Sequence, residues 1–358
     1  MKKSLLLLAA AAMVVGCSKN EVLNEIAQPE VLIGFGDSYV GKKVKAGEVT
    51  DLSDLQTNNG TMKVWGWKTH GETSQIFNNQ QVTYNSSSSR TNTKWEYTPL
   101  KYWDMEATNY KFYAVSPFTD KFAIDASTRK ISGTGIEAVQ ILENSNGASL
   151  VTSTNTQAID YLVAAVVDKS PKGNDSDGDV TFTFSHILSK LNVNVKTTTD
   201  FINSGDNYPQ IKLTDLSINL AGMCPNYTQA AAGAVNPASD IWSGTATAST
   251  SYVCFDAAGD ISAKLLTGTA QKVASYLVAP TAAGQTYNYT VSVEYDIYYG
   301  ASDHEHFTAT NKAVTTLTSF AQNTINNLTI TIDPQAIYFD VTTVTDRTTE
   351  SEKTVTVQ

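Results

Sequence analysis

The chain has 358 residues, a formal net charge of −10 and only 17% charged residues. Its length fits about two domains. Apart from Lys2-Lys3 and Lys42-Lys43 it has no basic run, so it lacks the clustered cations that a nucleic-acid partner requires.

Residues 1–17 read as a removable leader. Lys2 and Lys3 form a positive start, and Ser4 to Val15 form an apolar stretch too short to span a bilayer comfortably. Val14-Val15-Gly16-Cys17 resembles a bacterial lipobox, in which the Cys is acylated and becomes the new N-terminus. Cys17 is therefore the expected lipidation site, because several acyl chains on one residue anchor stably. Ser18 in place of Asp after the Cys favours, by the same resemblance, the outer membrane.

Val31-Leu32-Ile33-Gly34-Phe35 reads as a strand. Gly41 to Gly47 follows as a polar, lysine-bearing loop open to a trypsin-like protease, with Lys45-Ala46 the best site; the alternative is an uncut loop. Val64-Trp65-Gly66-Trp67 reads as an early core strand, and Ser86 to Ser89 as a loop tip. The aromatic cluster from Trp95 to Trp103 is either core packing or a sugar-stacking platform, and large rings favour the core. Tyr161 to Val167 is a continuous apolar run, suited to a strand buried on both faces.

Lys169 to Asp179 is a polar loop. Asp175 and Asp177 fall on calcium-ligand positions of an EF-hand if Gly178 makes the turn, but Gly173 and Phe184 then occupy places that need carboxylates. Val180 to Phe184 follows as a strand, then a helical turn over Ser185–Lys190 and a strand from Leu191. His186 in that turn reads as structural. Leu216-Ile218-Leu220 alternates, Ala230 to Ala248 reads as a long loop anchored by Trp242, and Tyr287 to Tyr299 alternates strictly with period two. His304-Glu305-His306 places two imidazoles on one face of a strand, a geometry that chelates metals, yet no third ligand is evident. Leu328-Ile330-Ile332 and Ile337-Phe339-Val341 complete the alternating runs.

Short strands divided by Gly, Asn, Asp and Pro predict an all-β protein of two tandem β-sandwich domains. The expected division is 18–45 as an N-terminal segment, 46–187 and 188–344 as the two sandwiches, and 345–358 as a tether with a terminal strand. In that terminal strand Val355 and Val357 share one face, fit either to pair with their own domain or to add to another molecule. Cys224 and Cys254 are open to two readings, a disulfide in an oxidising compartment or two buried thiols. The four histidines, His70, His186, His304 and His306, sit in no recognisable catalytic motif. No enzyme activity, metal or cofactor is expected.

Trp95-Glu96-Tyr97-Thr98-Pro99-Leu100-Lys101-Tyr102-Trp103, followed by Tyr110-Lys111-Phe112-Tyr113-Ala114-Val115-Ser116-Pro117, resembles the fimbrillin-like proteins of the Bacteroidetes. Phe182 to Leu191 resembles their segment at the domain junction, and Val64-Trp65-Gly66-Trp67 their early core strand. The resemblance covers most of the chain. It implies two sandwiches of transthyretin-like topology, export as a lipoprotein, proteolytic removal of an N-terminal strand and assembly into a pilus with copies of itself or related subunits. The competing reading is a monomeric surface lipoprotein that binds glycan or host protein.

Overall fold

The computed structural model describes residues 31–37, 39–40, 52–89, 94–144, 158–171, 178–198, 209–257, 263–333 and 336–344. Cys17, Lys45, Ala46, Asp175, Asp177, Val355 and Val357 lie outside them. Among the described residues the chain is almost entirely β, as its alternating pattern predicts; the helical parts are Leu52–Asp54 and the π turn Leu55–Asn59.

The first large sheet orders its strands as Tyr39–Val40, Thr183–His186, Leu162–Ala164, Asn109–Ser116, Thr61–His70, Glu72–Tyr84 and Trp95–Glu96. Its centre is buried on both faces, and period-two alternation sorts the side chains between two cores. Met62 and Val64 enter a smaller core together with Tyr110, Phe112, Ala114, Leu162 and Ala164. Their chain neighbours Trp65, Trp67, Tyr113, Val115 and Val163 enter the larger core. This explains why Tyr161 to Val167 is apolar without a break over its central strand. Lys63 is 4% exposed on this sheet, and its ammonium donates to the carbonyls of Thr119 (3.1 Å) and Phe122 (2.9 Å).

The larger core continues into two further sheets. One orders Ala336–Val344, Ile325–Asp333, Ser189–Thr197, Gln271–Val278 and Val139–Asn144; the other orders Thr250–Asp256, Gln210–Leu220, Thr290–Tyr298 and His304–Ala313. Ser189–Thr197 and Ile325–Asp333 run parallel, from the Lys190–Ile325 pair to the Thr197–Ile332 pair. Segments from the first half cross into the second: Val139–Asn144 pairs with Gln271–Val278, and Ile131–Gly133 pairs with Asn226–Thr228.

Two local expectations are corrected. Residues 185–190 form no helical turn: the strand Thr183–His186 ends, Ile187 and Leu188 turn into the core, and Ser189–Thr197 begins. The stretch 230–248 is not wholly loop, because Ile241–Ser243 pairs with Asn226–Thr228. Its anchor is Trp242 as expected, 7% exposed, with its indole N–H donating to Gln322 Oε1 at 3.2 Å.

On the strand Gln210–Leu220, Asp215 stands opposite Asp256 on one side and Glu294 on the other. Burial first, then these two carboxylates, push its carboxyl up to about 6. A carboxyl raised in the fold contributes stability that is complete below about pH 4, its unfolded value, and that is lost as pH rises through about 6. Denaturant titrations between pH 4 and 7 should therefore show a falling limb that Asp215→Asn flattens. An unchanged limb in that variant would assign the loss to another group.

Candidate functional site

The segment Val31 to Gly36 is chemically unlike an ordinary terminus. Val, Leu, Ile and Phe in succession would leave a large apolar area in water if they did not fold in. They are instead threaded through the small core, held on both sides by isolated bridges and not as a regular strand. On one side Trp103 N–H donates to Val31 O at 2.8 Å and Ile33 N–H to Lys101 O at 2.9 Å. On the other side Gly36 N–H donates to Val180 O at 3.0 Å and Val180 N–H to Gly34 O at 2.8 Å. Phe35 thus bridges Trp95 antiparallel and Val180 parallel, and Tyr39–Val40 continues parallel to Thr183–Phe184.

Ile33 and Phe35 are both 0% exposed. The Phe35 ring meets Phe77, Tyr97 and Phe112 edge-on at centroid distances of 5.5, 5.4 and 6.3 Å, and stacks on Phe182 at 6.0 Å. These edge and stacked arrangements are the ones that ring quadrupoles favour. Gly66 makes the floor of this pocket: a Cβ there would fall 2.9 Å from Phe77 and 3.1 Å from Phe112.

The flank 97–104 closes over the segment. Tyr97 donates its hydroxyl to Ile33 O at 2.7 Å. Asp104 fixes the far end of the flank by accepting from Lys68 Nζ at 2.7 Å, contacting His70 Nδ1 at 2.9 Å and accepting the Glu106 N–H at 3.1 Å. The hydrogen bonds from Lys68 and then His70 hold its carboxyl well below the usual carboxylate range. Leu100 and Tyr102 project outward from this flank, 40% and 43% exposed.

The remaining expected residues fall as follows. Trp95, Tyr97 and Trp103 are 0%, 5% and 5% exposed, so three rings of the aromatic cluster are core, while Tyr102 faces outward. His186 is buried beside Asp160, Nδ1 to Oδ2 2.9 Å, which bears out the structural reading. His306 Nδ1 lies 2.7 Å from Asp296 Oδ1, while His304 stacks on Tyr298 at 4.8 Å. Among the described residues no group of three or more His, Cys, Asp or Glu side chains could hold a metal. Cys224 and Cys254 are buried free thiols and form no disulfide. The reason is topological: Leu220 pairs with Thr250, and the chain runs on from each in opposite directions to the two cysteines. The stretch from Thr250 to Cys254 alone covers about 13 Å, beyond the ~7 Å Cα limit for a disulfide.

The pocket around Phe35 escaped the sequence reading. Its residues converge from positions 35, 77, 97, 112 and 182, which leaves no spacing signal, and Phe77 lies in none of the runs read from the sequence.

A family model described as fimbrillin-like matches residues 50–350. A curated relative, fimbrium subunit Fim1C of Phocaeicola vulgatus, is 29% identical over 211 residues, covering 54% of this chain and 51% of its own length. The chain thus matches about half the length of that relative. Among solved structures, a fimbrial protein from Bacteroides vulgatus is 16% identical, covering 87% of this chain and 98% of its own, with a TM-score of 0.45. A protein from Bacteroides uniformis is also 16% identical, covering 88% and 97%, with a TM-score of 0.45. With the family model spanning residues 50–350, the chain belongs to the fimbrillin-like family.

Proposed function

We propose that this protein is a structural subunit of a cell-surface fimbria that supports adhesion, joined to its neighbours by strand exchange. The observation that carries the reading is the segment Val31 to Gly36: an N-terminal segment bridged on both sides within the small core, with Ile33 and Phe35 fully buried. Its loss would open a groove with an unpaired row of N–H and C=O groups and an apolar floor, a template for an incoming strand. Family membership supports the same reading. The donor comes from the C-terminal part of a second copy or a related subunit: either the terminal strand carrying Val355 and Val357, or Ala336–Val344.

In this scheme the precursor is exported and acylated at Cys17 on the outer membrane, and a trypsin-like protease cuts at Lys45-Ala46. The two sandwiches of this reading are 46–187 and 188–344, with Ile131–Gly133 and Val139–Asn144 reaching across to pair with strands of the second. A glycan-binding monomer has less support, because three of the four aromatic rings in the cluster it would use lie in the core. N-terminal sequencing of fimbriae sheared from cells should find Ala46 or a residue close by. Assembled protein that still begins at acylated Cys17 would overturn the processing step and, with it, the strand exchange.

A further inference from the structure

The Phe35 pocket makes a demand on any strand that replaces the N-terminal segment. Four rings converge on one position, and Gly66 beneath Phe77 and Phe112 leaves those rings room to lie where they do. A valine there would leave a void, since the surrounding rings are held by the sheet and close in only partly. The fitting strand therefore carries an aromatic residue at the Phe35 position and an aliphatic one two residues earlier, at the Ile33 position.

The C-terminal part of the chain contains this pattern. Ile337-Tyr338-Phe339 has the spacing of Ile33-Gly34-Phe35. No residue after Phe339 is aromatic, so the tail with Val355 and Val357 cannot meet the demand. Resting on the strand-exchange reading, we infer that the pocket selects Ala336–Val344 of a second copy, with Phe339 in the Phe35 position and Ile337 in the Ile33 position.

The location of that strand suits the role. Ala336–Val344 is the end strand of its sheet and pairs with Ile325–Asp333. Ile337, Phe339 and Val341 are only partly buried against their own core, whereas Ile33 and Phe35 are buried completely. Exchange moves an isoleucine and a phenylalanine from half-buried to fully buried sites, which favours transfer through the apolar area removed from water. One adjustment is required. Asp340 takes the place of Gly36, where an added Cβ would lie 3.2 Å from both Asp179 Cβ and Thr181 Oγ1, so that flank opens by a few tenths of an ångström.

The test places a benzophenone-bearing phenylalanine at position 339, and separately at 357, in the full-length protein made by fimbriated cells. After irradiation of intact fimbriae, cross-linked peptides are mapped by mass spectrometry. Position 339 should join the Phe77, Tyr97 or Phe112 region of another copy. Adducts from 357 in that region, with 339 linking only to its own Ile325–Asp333 strand, would overturn the assignment and leave strand exchange standing. Polymers in which neither position reaches another copy would sink both. As a second arm, Phe339→Leu should lower fimbrial yield by about tenfold or more, and Phe339→Trp or Phe339→Tyr should retain more of it than Leu does. Thermal melting of the uncleaved monomers separates assembly from folding. A Leu variant that folds and polymerises normally would refute the aromatic requirement.

Discussion

Phe35→Ala is expected to lower the unfolding free energy of the uncleaved protein by about 3–5 kcal/mol, the range for truncating a buried phenylalanine. The ring is 0% exposed and touches four others, so its removal forfeits both apolar burial and edge contacts. Denaturant unfolding of full-length protein measures this. The strand-exchange reading adds a second expectation. Once the segment has been replaced, the residue at position 35 is gone, so fimbriae assembled from Phe35→Ala precursor should dissociate at the same temperature as wild type. Fimbriae weakened by the substitution would mean that the native segment remains in the polymer. A loss below ~1 kcal/mol in the uncleaved protein would mean that the segment is not seated in the core.

His186→Leu is expected to cost about 1–3 kcal/mol, because it removes a buried polar neighbour from a fully buried carboxyl group. Asp160 is 0% exposed and His186 3%. Leucine fills much of the imidazole volume but takes the ring nitrogen away from beside Asp160 Oδ2, so the penalty is one of polarity and not of packing. The double variant His186→Leu/Asp160→Leu should recover much of the loss, since replacing both polar partners by apolar groups of similar shape is often nearly neutral. A double variant as unstable as the sum of the two singles would assign the effect to shape. The pair holds the passage from the first sheet into the second half of the chain, since Leu162 pairs with His186 and the Ile187 N–H donates to Tyr161 O.

The alternating runs were legible because the pleat writes itself into the sequence. Leu191-Val193-Val195, Leu216-Ile218-Leu220 and Leu328-Ile330-Ile332 all lie in strands with these residues buried. Tyr287 to Tyr299 overran its strand, which begins at Thr290. Its first residues bond to a connecting loop instead, the Tyr287 N–H donating to Thr318 O and Tyr289 O accepting from Val314. The turn at Ser185–Lys190 was misread because buried polar residues obscured the strand start. Ser189 is 0% exposed, and its hydroxyl lies 2.9 Å from Thr324 Oγ1 and accepts from Asn326 Nδ2 at 2.9 Å. Such pairing is between residues far apart in the chain and has no local signature. The same holds for the Asp104 clasp, whose partners Lys68 and His70 lie on a neighbouring strand, and for the Phe35 pocket. What sequence supplied for the candidate site was the apolar segment and its position near the N-terminus, which the fold holds by isolated bridges and not as a regular strand; what only the fold supplied was the shape of the hole it fills.

The parallel pairing of Ser189–Thr197 with Ile325–Asp333 has a consequence for mechanics. Tension reaches the first strand at its beginning, through the connection from His186, and would leave the second at its end, through Asp333, if the following strand were lodged in a neighbouring subunit. The two loads then pull parallel strands past one another along their length. Rupture in that shear geometry must break the bonds from the Lys190–Ile325 pair to the Thr197–Ile332 pair together, whereas opposite loading at one end would unzip them singly. A fibre linked through this strand would therefore carry its pull across the most resistant direction of the sheet.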